Sequence, residues 1–146
     1  MQTSELEDKV LIRELTDNLS ILGDKKDFAN QVKLFTEDAV SETIVEGLTI
    51  LKLQGRQAMI EAFETFLKEF QNVYHLNGQQ VIDVKGNIAT GTCYCHITLI
   101  STENGVKMKT SIGAIYKDNY IKENNRWLVS KRIGVFEWQD KNIISK

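Results

Sequence analysis

Apolar positions in the first half of the chain recur at helical spacing, and those in the second half alternate as in strands. Leu6, Val10, Leu11, Leu15, Leu19 and Leu22 fall three or four apart, which predicts an N-terminal helix with one apolar stripe. Its start is marked by "SELE" at 4–7, a capping box in which Ser4 accepts the amide three residues on and Glu7 reaches back. Gly23 is the expected stop. Asp27 can cap a short second helix bearing Phe28, Val32 and Phe35. A third helix is predicted from Gly55 to Gln71, where Met59, Ile60, Phe63, Phe66, Leu67 and Phe70 form a stripe wide enough to pack on a sheet. Residues 40–54 read as a strand or two turning at "EGL".

From Val73 onward four long β-type stretches follow, at 73–85, 88–102, 106–121 and 126–139, separated by "KGN", "ENG" and "ENN". Asn104-Gly105 is a strong hairpin signal because both residues tolerate the positive φ of a type I′ turn, and Asn124-Asn125 is a weaker one. Helices followed by a meander of strands predict a single α+β domain over 1–146, with helices on one face of an antiparallel sheet. Strands this long twist and curl, so the sheet is expected to be cupped, and helices closing the cup leave a cavity.

The turns also set an expected register. A two-residue loop in "KGN" puts His75 opposite His96 or Thr98, depending on whether Lys85-Gly86 or Gly86-Asn87 forms it, and both choices place the two histidines on one face. With Asn104-Gly105 as the next loop, His96 pairs with Gly113. With Asn124-Asn125 as the last, Gly113 pairs with Phe136. One face would then carry His75, Asn77, Tyr94, His96, Thr98, Phe136 and Trp138, the mix of apolar walls and convergent polar groups that a ligand cavity needs. The opposite face, with Tyr74, Leu76, Ile82, Val84, Cys93, Cys95, Ile97 and Leu99, is apolar and is expected to meet a second copy of the chain in a homodimer. A β-bulge anywhere in these strands would reverse the parity beyond it.

Composition narrows the partners. The formal net charge is −2 and the 18 basic residues are scattered, so the positive stripe that nucleic acid demands is missing. No apolar run approaches a membrane span, and the polar N-terminal stretch lacks a signal-peptide core, which points to the cytoplasm. Cys93 and Cys95, two apart on one strand, read as small buried apolar residues in a reducing compartment; no further Cys/His cluster completes a metal site. The polar C-terminal "DKNIISK" is expected to be a solvated, mobile tail.

The stretch "YKDNYIKENNRWLVSKR", 116–132, resembles the SnoaL-like branch of the nuclear transport factor 2-like superfamily through Tyr116, Asp118, Arg126, Trp127 and Arg132. "LGDKKDFANQVKLFTEDAV" at 22–40, "GRQAMIEAF" at 55–63 and "YHLNGQQVIDVKGNIATGTCY" at 74–94 are similar to other segments of that family, so the likeness spans most of the chain. The resemblance implies a cone-shaped curved sheet closed by three helices. It also implies the pocket of scytalone dehydratase and polyketide cyclase relatives, in which an aspartate at the end of the first helix works with a strand histidine. The matching positions are Asp24 and His75. Gly23 stands where the dehydratase-like pattern has an aromatic hydroxyl, and His96 lies a few residues short of that pattern's second histidine.

These residues suggest a cofactor-free lyase or isomerase. Asp24 would fix the His75 tautomer, the free ring nitrogen would remove a proton α to a carbonyl, and Tyr94 or His96 would donate to the enolate oxygen. Dehydration, isomerisation or aldol cyclisation of a small hydrophobic molecule would follow. A non-catalytic binder, or an assembly domain like the small subunits of ring-hydroxylating dioxygenases, would use the same fold with Asp24 as a turn residue. Trp127 and Arg132 are expected to be structural, Arg132 paired to a carboxylate.

Overall fold

The structure, a computed structural model, describes residues 3–145, the last by its backbone alone. Helix α1 (Glu5–Asp24) opens with the capping box: Ser4 Oγ accepts from the Glu7 amide at 3.1 Å and Glu7 accepts from the Ser4 amide at 3.3 Å. Helix α2 (Phe28–Gln31) is a single turn capped by Asp27 and continued by a 3-10 turn at Val32–Leu34. Strands β1 (Phe35–Val45) and β2 (Leu48–Gln54) form a hairpin about Glu46-Gly47, both at positive φ. Helix α3 (Arg56–Leu67) follows, and strands β3 (Phe70–Lys85), β4 (Ile88–Glu103), β5 (Val106–Glu123) and β6 (Arg126–Ser145) complete the chain. The hairpins turn where positive-φ residues allow it, at Gly86-Asn87, Asn104-Gly105 and Asn124-Asn125.

Six strands form one curved sheet in the order β2-β1-β6-β5-β4-β3. Neighbours pair antiparallel except β1 and β6, which run parallel, so the meander is antiparallel but the sheet as a whole is mixed. Two long-range pairings that turn chemistry cannot announce produce this arrangement. The C-terminal strand inserts beside β1, and residues expected as a mobile tail continue β6, with Asn142 and Ile143 paired to Lys109 and Met108. Lys146 lies outside the described residues. Helix α3 stops at Leu67, short of Gln71, because Phe70 already begins β3.

The core lies between the helices and the concave face. Ile12, Leu15 and Leu19 pack with Val32, Phe35, Met59, Tyr120, Trp127 and Val129, and a second cluster joins Val73, Cys95, Ile97, Leu99, Ile112 and Ala114. The buried line on α1 is turned from the expected leucine stripe. Leu6, Val10 and Leu11 are exposed, whereas Asp8, Thr16 and Ser20 are buried. Their partners explain the rotation. Asp8 accepts from Trp127 Nε1 at 2.9 Å and lies 3.1 Å from Lys122 Nζ, tying the start of α1 to β5 and β6. Across the sheet Arg132 forks Asp118, 0% exposed at its side chain, at 2.8 and 2.9 Å. Tyr120 Oη donates to the same carboxylate at 2.8 Å, and the guanidinium lies 4.0 Å from the Tyr116 ring centroid. Trp127 and Arg132 thus have the structural contacts expected of them.

Burial pushes the Asp8 carboxyl up, but hydrogen bonds from Thr3, Trp127 and Lys122, with the Lys122 charge, outweigh it and hold the group below the usual carboxylate value. A folded-state value below the unfolded one means that the stability Asp8 contributes is fully present above about pH 4 and is lost as pH falls through the lowered value. Asp8→Ala, which leaves Lys122 half-enclosed without its carboxylate, is expected to cost about 3 kcal/mol in urea unfolding at neutral pH. The gap between variant and wild type should narrow in acid.

Candidate functional site

The end of α1 and the open edge of the sheet build the site together. Strand β3 has β4 on one side only, so alternate backbone N–H groups on its other side have no ladder partner. The His75 amide is taken by Asp24, whose Oδ1 and Oδ2 lie 3.0 and 3.3 Å away. The same carboxylate stands 2.6 Å from the ring Nδ1 of His75. A carboxylate can only accept here, so Nδ1 carries the proton, and in the neutral ring this leaves the lone pair on Nε2. Side-chain exposures of 17% for His75 and 24% for Asp24 leave the pair partly desolvated but reachable.

A row of polar contacts holds this geometry. Asn77 Nδ2 donates to the Thr16 carbonyl at 3.2 Å and to Asp17 Oδ1 at 3.0 Å, while its oxygen accepts from Ser20 Oγ at 3.1 Å. Gln80 Nε2 reaches Thr16 Oγ1 at 3.1 Å, and Arg13 Nη2 reaches the Gly78 carbonyl at 3.4 Å. Asn77, expected to meet substrate, therefore spends its amide on docking α1. Gln31, on α2, adds a further contact: its Nε2 donates to the Leu19 carbonyl at 2.9 Å.

The two histidines do not share a face. The first hairpin begins with the Gly86-Asn87 loop, but an extra residue at Gly78–Gln79 shifts the register, so Asn77 pairs with Cys95 and His75 with Ile97 rather than with His96 or Thr98. A bulge reverses which residues point inward beyond it. His75 faces the helices, and Tyr94, His96 and Thr98 face away from them. In β6 the register slips again near Ser130 and at Glu137, so Gly113 pairs with Trp138 and Ala114 with Phe136. Phe136 joins the concave face, while Trp138, 53% exposed, covers Gly113 on the convex face. The expected seven-residue pocket is thus split, with His75, Asn77 and Phe136 inside and Tyr94, His96, Thr98 and Trp138 outside. The apolar residues expected to meet a second copy are reversed likewise. Cys93, Cys95, Ile97 and Leu99 are core, Ile82 and Val84 pack against it, and Tyr74 and Leu76 remain exposed.

On the convex side, Leu76, Tyr94, His96, Gly113, Ile115 and Trp138 line a groove of about 460 Å³. The His96 and Trp138 ring centroids are 5.8 Å apart there. On the concave side the groups near Arg132 are sealed. Burial pushes the Cys95 thiol up to about 12 and raises the Tyr116 phenol as well, so neither ionises at neutral pH. Among the described residues no three His, Cys, Asp or Glu side chains gather into a group that could hold a metal ion.

A model of the SnoaL-like domain matches residues 4–133. The chain belongs to the SnoaL-like domain family. Solved structures of the same fold include a provisionally named scytalone dehydratase from Novosphingobium aromaticivorans, with a TM-score of 0.80 and 18% identity over 92% of this chain and 87% of that one. A hexachlorocyclohexane dehydrochlorinase, LinA, has a TM-score of 0.80 and 18% identity over 94% and 90%. The Kfla4162 protein of Kribbella flavida has a TM-score of 0.84 and 14% identity over 94% and 95%. No match is found among curated proteins. In this SnoaL-like chain no described helix is long and apolar enough to cross a membrane.

Sequence reasoning missed the polar row and Gln31. The row had a readable signal, because Thr16, Ser20 and Asp24 recur every four residues along α1. Gln31 had none, since its partner is a helix carbonyl brought near only by the turn of α2. Asn77→Ala is expected to cost about 2 kcal/mol in denaturant unfolding, since it leaves Asp17, Ser20 and the Thr16 carbonyl without a shared partner.

Proposed function

We propose that this SnoaL-like domain binds a small, largely hydrophobic carbonyl compound beside His75 and acts as a cofactor-independent lyase or isomerase. The 2.6 Å contact between Asp24 Oδ1 and His75 Nδ1 carries the reading. With the tautomer held by Asp24, Nε2 takes a proton from the carbon α to the carbonyl, and the developing imidazolium is stabilised by the adjacent carboxylate. In a dehydration, the C–H electron pair forms the new double bond as the β-hydroxyl leaves, and the imidazolium returns its proton to that hydroxyl, so water departs and His75 is restored. The dehydratase and dehydrochlorinase named among the structural neighbours are consistent with eliminations on this fold.

Two probes test the reading: the acetone–benzaldehyde aldol and the matching β-chloro ketone, both followed by the absorbance of the conjugated enone. His75→Ala is expected to lower kcat/KM at least about a hundredfold, the usual scale of a lost general base. Asp24→Asn, which removes the carboxylate but keeps a polar group at Nδ1, should lose less. Equal rates in wild type and His75→Ala, or turnover of neither compound by the wild type, would remove the catalytic reading.

One observation favours a second, non-catalytic reading as a binding or assembly domain. The concave face is filled by Val73, Cys95, Ile97, Leu99, Ile112 and Ala114, whereas the open groove lies on the convex face. Under either reading the exposed Tyr74, Leu76, Tyr94 and Trp138 support a homodimer through the convex face. Trp138→Glu would place a charge at the centre of that contact. Sedimentation at micromolar concentration should show a dimer for the wild type and a monomer for the variant; a monomeric wild type would refute the proposal. The proposed setting is the cytoplasm, with neither nucleic acid nor membrane as partner.

A further inference from the structure

Gln31 presents an acceptor that nothing among the described residues satisfies. Its Nε2 donates to the Leu19 carbonyl at 2.9 Å, and because that carbonyl can only accept, the carboxamide cannot be flipped. The orientation leaves Oε1 buried without a hydrogen-bond partner among the described residues. An orphaned buried acceptor is destabilising, so its presence calls for a compensating role.

Its place suggests the role. A Cβ built on Gly23 would lie 2.9 Å from Gln31 Nε2 and 3.9 Å from His75 Cε1. The carboxamide and the imidazole therefore flank the same glycine, one residue before Asp24. Gly23 has helical backbone within α1, so turn geometry does not require a glycine there. Its missing side chain leaves space for the amide. The oxygen is covered by protein, and α2, which carries it, is one turn long.

We propose that Gln31 is a specificity-determining residue, whose carboxamide oxygen accepts a hydrogen bond from a hydroxyl on the ligand and selects hydroxylated small molecules over ethers and halides. This rests on the reading of the His75–Asp24 region as a ligand site and deepens it: of the two eliminations considered above, it favours loss of water over loss of chloride. A site with a buried acceptor discriminates against a ligand that cannot donate, because the acceptor then stays unpaired in the complex. A halide leaves Oε1 as it was, whereas a hydroxyl satisfies it.

The test needs no turnover. Phenol and anisole are similar aromatic rings, and only phenol donates. Each is titrated into isotope-labelled protein while the side-chain amide resonances of Gln31 and the ring resonances of His75 are followed. Phenol is expected to shift the Gln31 resonances and to bind about tenfold more tightly than anisole. In Gln31→Met, which keeps the length but removes the acceptor, the two should bind about equally. Gly23→Ala crowds the amide by its Cβ without altering Gln31 itself, and it too should erase the preference; this variant serves if Gln31→Met fails to fold. Gln31 resonances unmoved up to the solubility limit of phenol, or an unchanged phenol preference in a folded Gln31→Met or Gly23→Ala protein, would overturn the proposal. A phenol preference carried by Gln31 in a protein that turns over neither elimination probe would keep this inference and remove only the catalytic reading.

Discussion

The rest of the site depends on one match of dimensions, between the rise of a helix and the rise of a strand. Four residues along α1 advance about 6 Å, and two residues along β3 advance about 6.6 Å. The two elements run in opposite directions, so Asp24 meets His75 and Ser20 meets Asn77 in step. The next contact, Thr16 with Gln80, comes three strand residues later rather than two, because the extra residue at Gly78–Gln79 intervenes. Without that residue Gln80 would point away from the helix and the polar row would break. Each contact is individually worth about 1 kcal/mol, but together they hold α1 at one translation along the sheet. The spacing of carboxylate and imidazole is a consequence of that translation.

The same bulge, with those in β6, sorts the residues of the sheet between its faces. On the concave face it pairs His75 with a helix end and surrounds it with apolar neighbours. On the convex face it leaves His96 against Trp138, with Tyr94 and Trp138 both exposed. An antiparallel sheet with one helix-covered face would ordinarily expose a polar one. Here the uncovered face carries aromatic side chains over a glycine floor, and the indole of Trp138 occupies the space a side chain at Gly113 would need.

Away from the dyad, charge is used for anchoring. Asp118 and Arg132 are both enclosed, and each has further partners in Tyr120 and Tyr116, which is the condition under which a buried ion pair repays its desolvation. Their pairing spans β5 and β6 just where β6 carries its irregularity, so the pair also holds the register there. Asp8 does similar work at the start of α1, where Trp127 and Lys122 tie it to β6 and β5.

What the sequence determined by itself was local. Capping chemistry at Ser4 and Glu7, positive-φ turns at Asn104-Gly105 and Asn124-Asn125, and the change of period after Val73 rest on interactions within a few residues, and these elements formed as read. Asp24 and His75 could be named because a family pattern marks both positions. Faces and partners required the tertiary structure. Parity along a strand is a running count, and one inserted residue at Gly78–Gln79 reverses it without any change in apolar pattern to announce it. The side of α1 that is buried was decided by Asp8, Thr16 and Ser20, polar residues that hydrophobic periodicity ignores and that only β3, β5 and β6 can satisfy. The strand formed by "DKNIIS" and the parallel pairing of β1 with β6 likewise come from segments distant in sequence, whose hydrogen bonds exist only once the sheet is assembled.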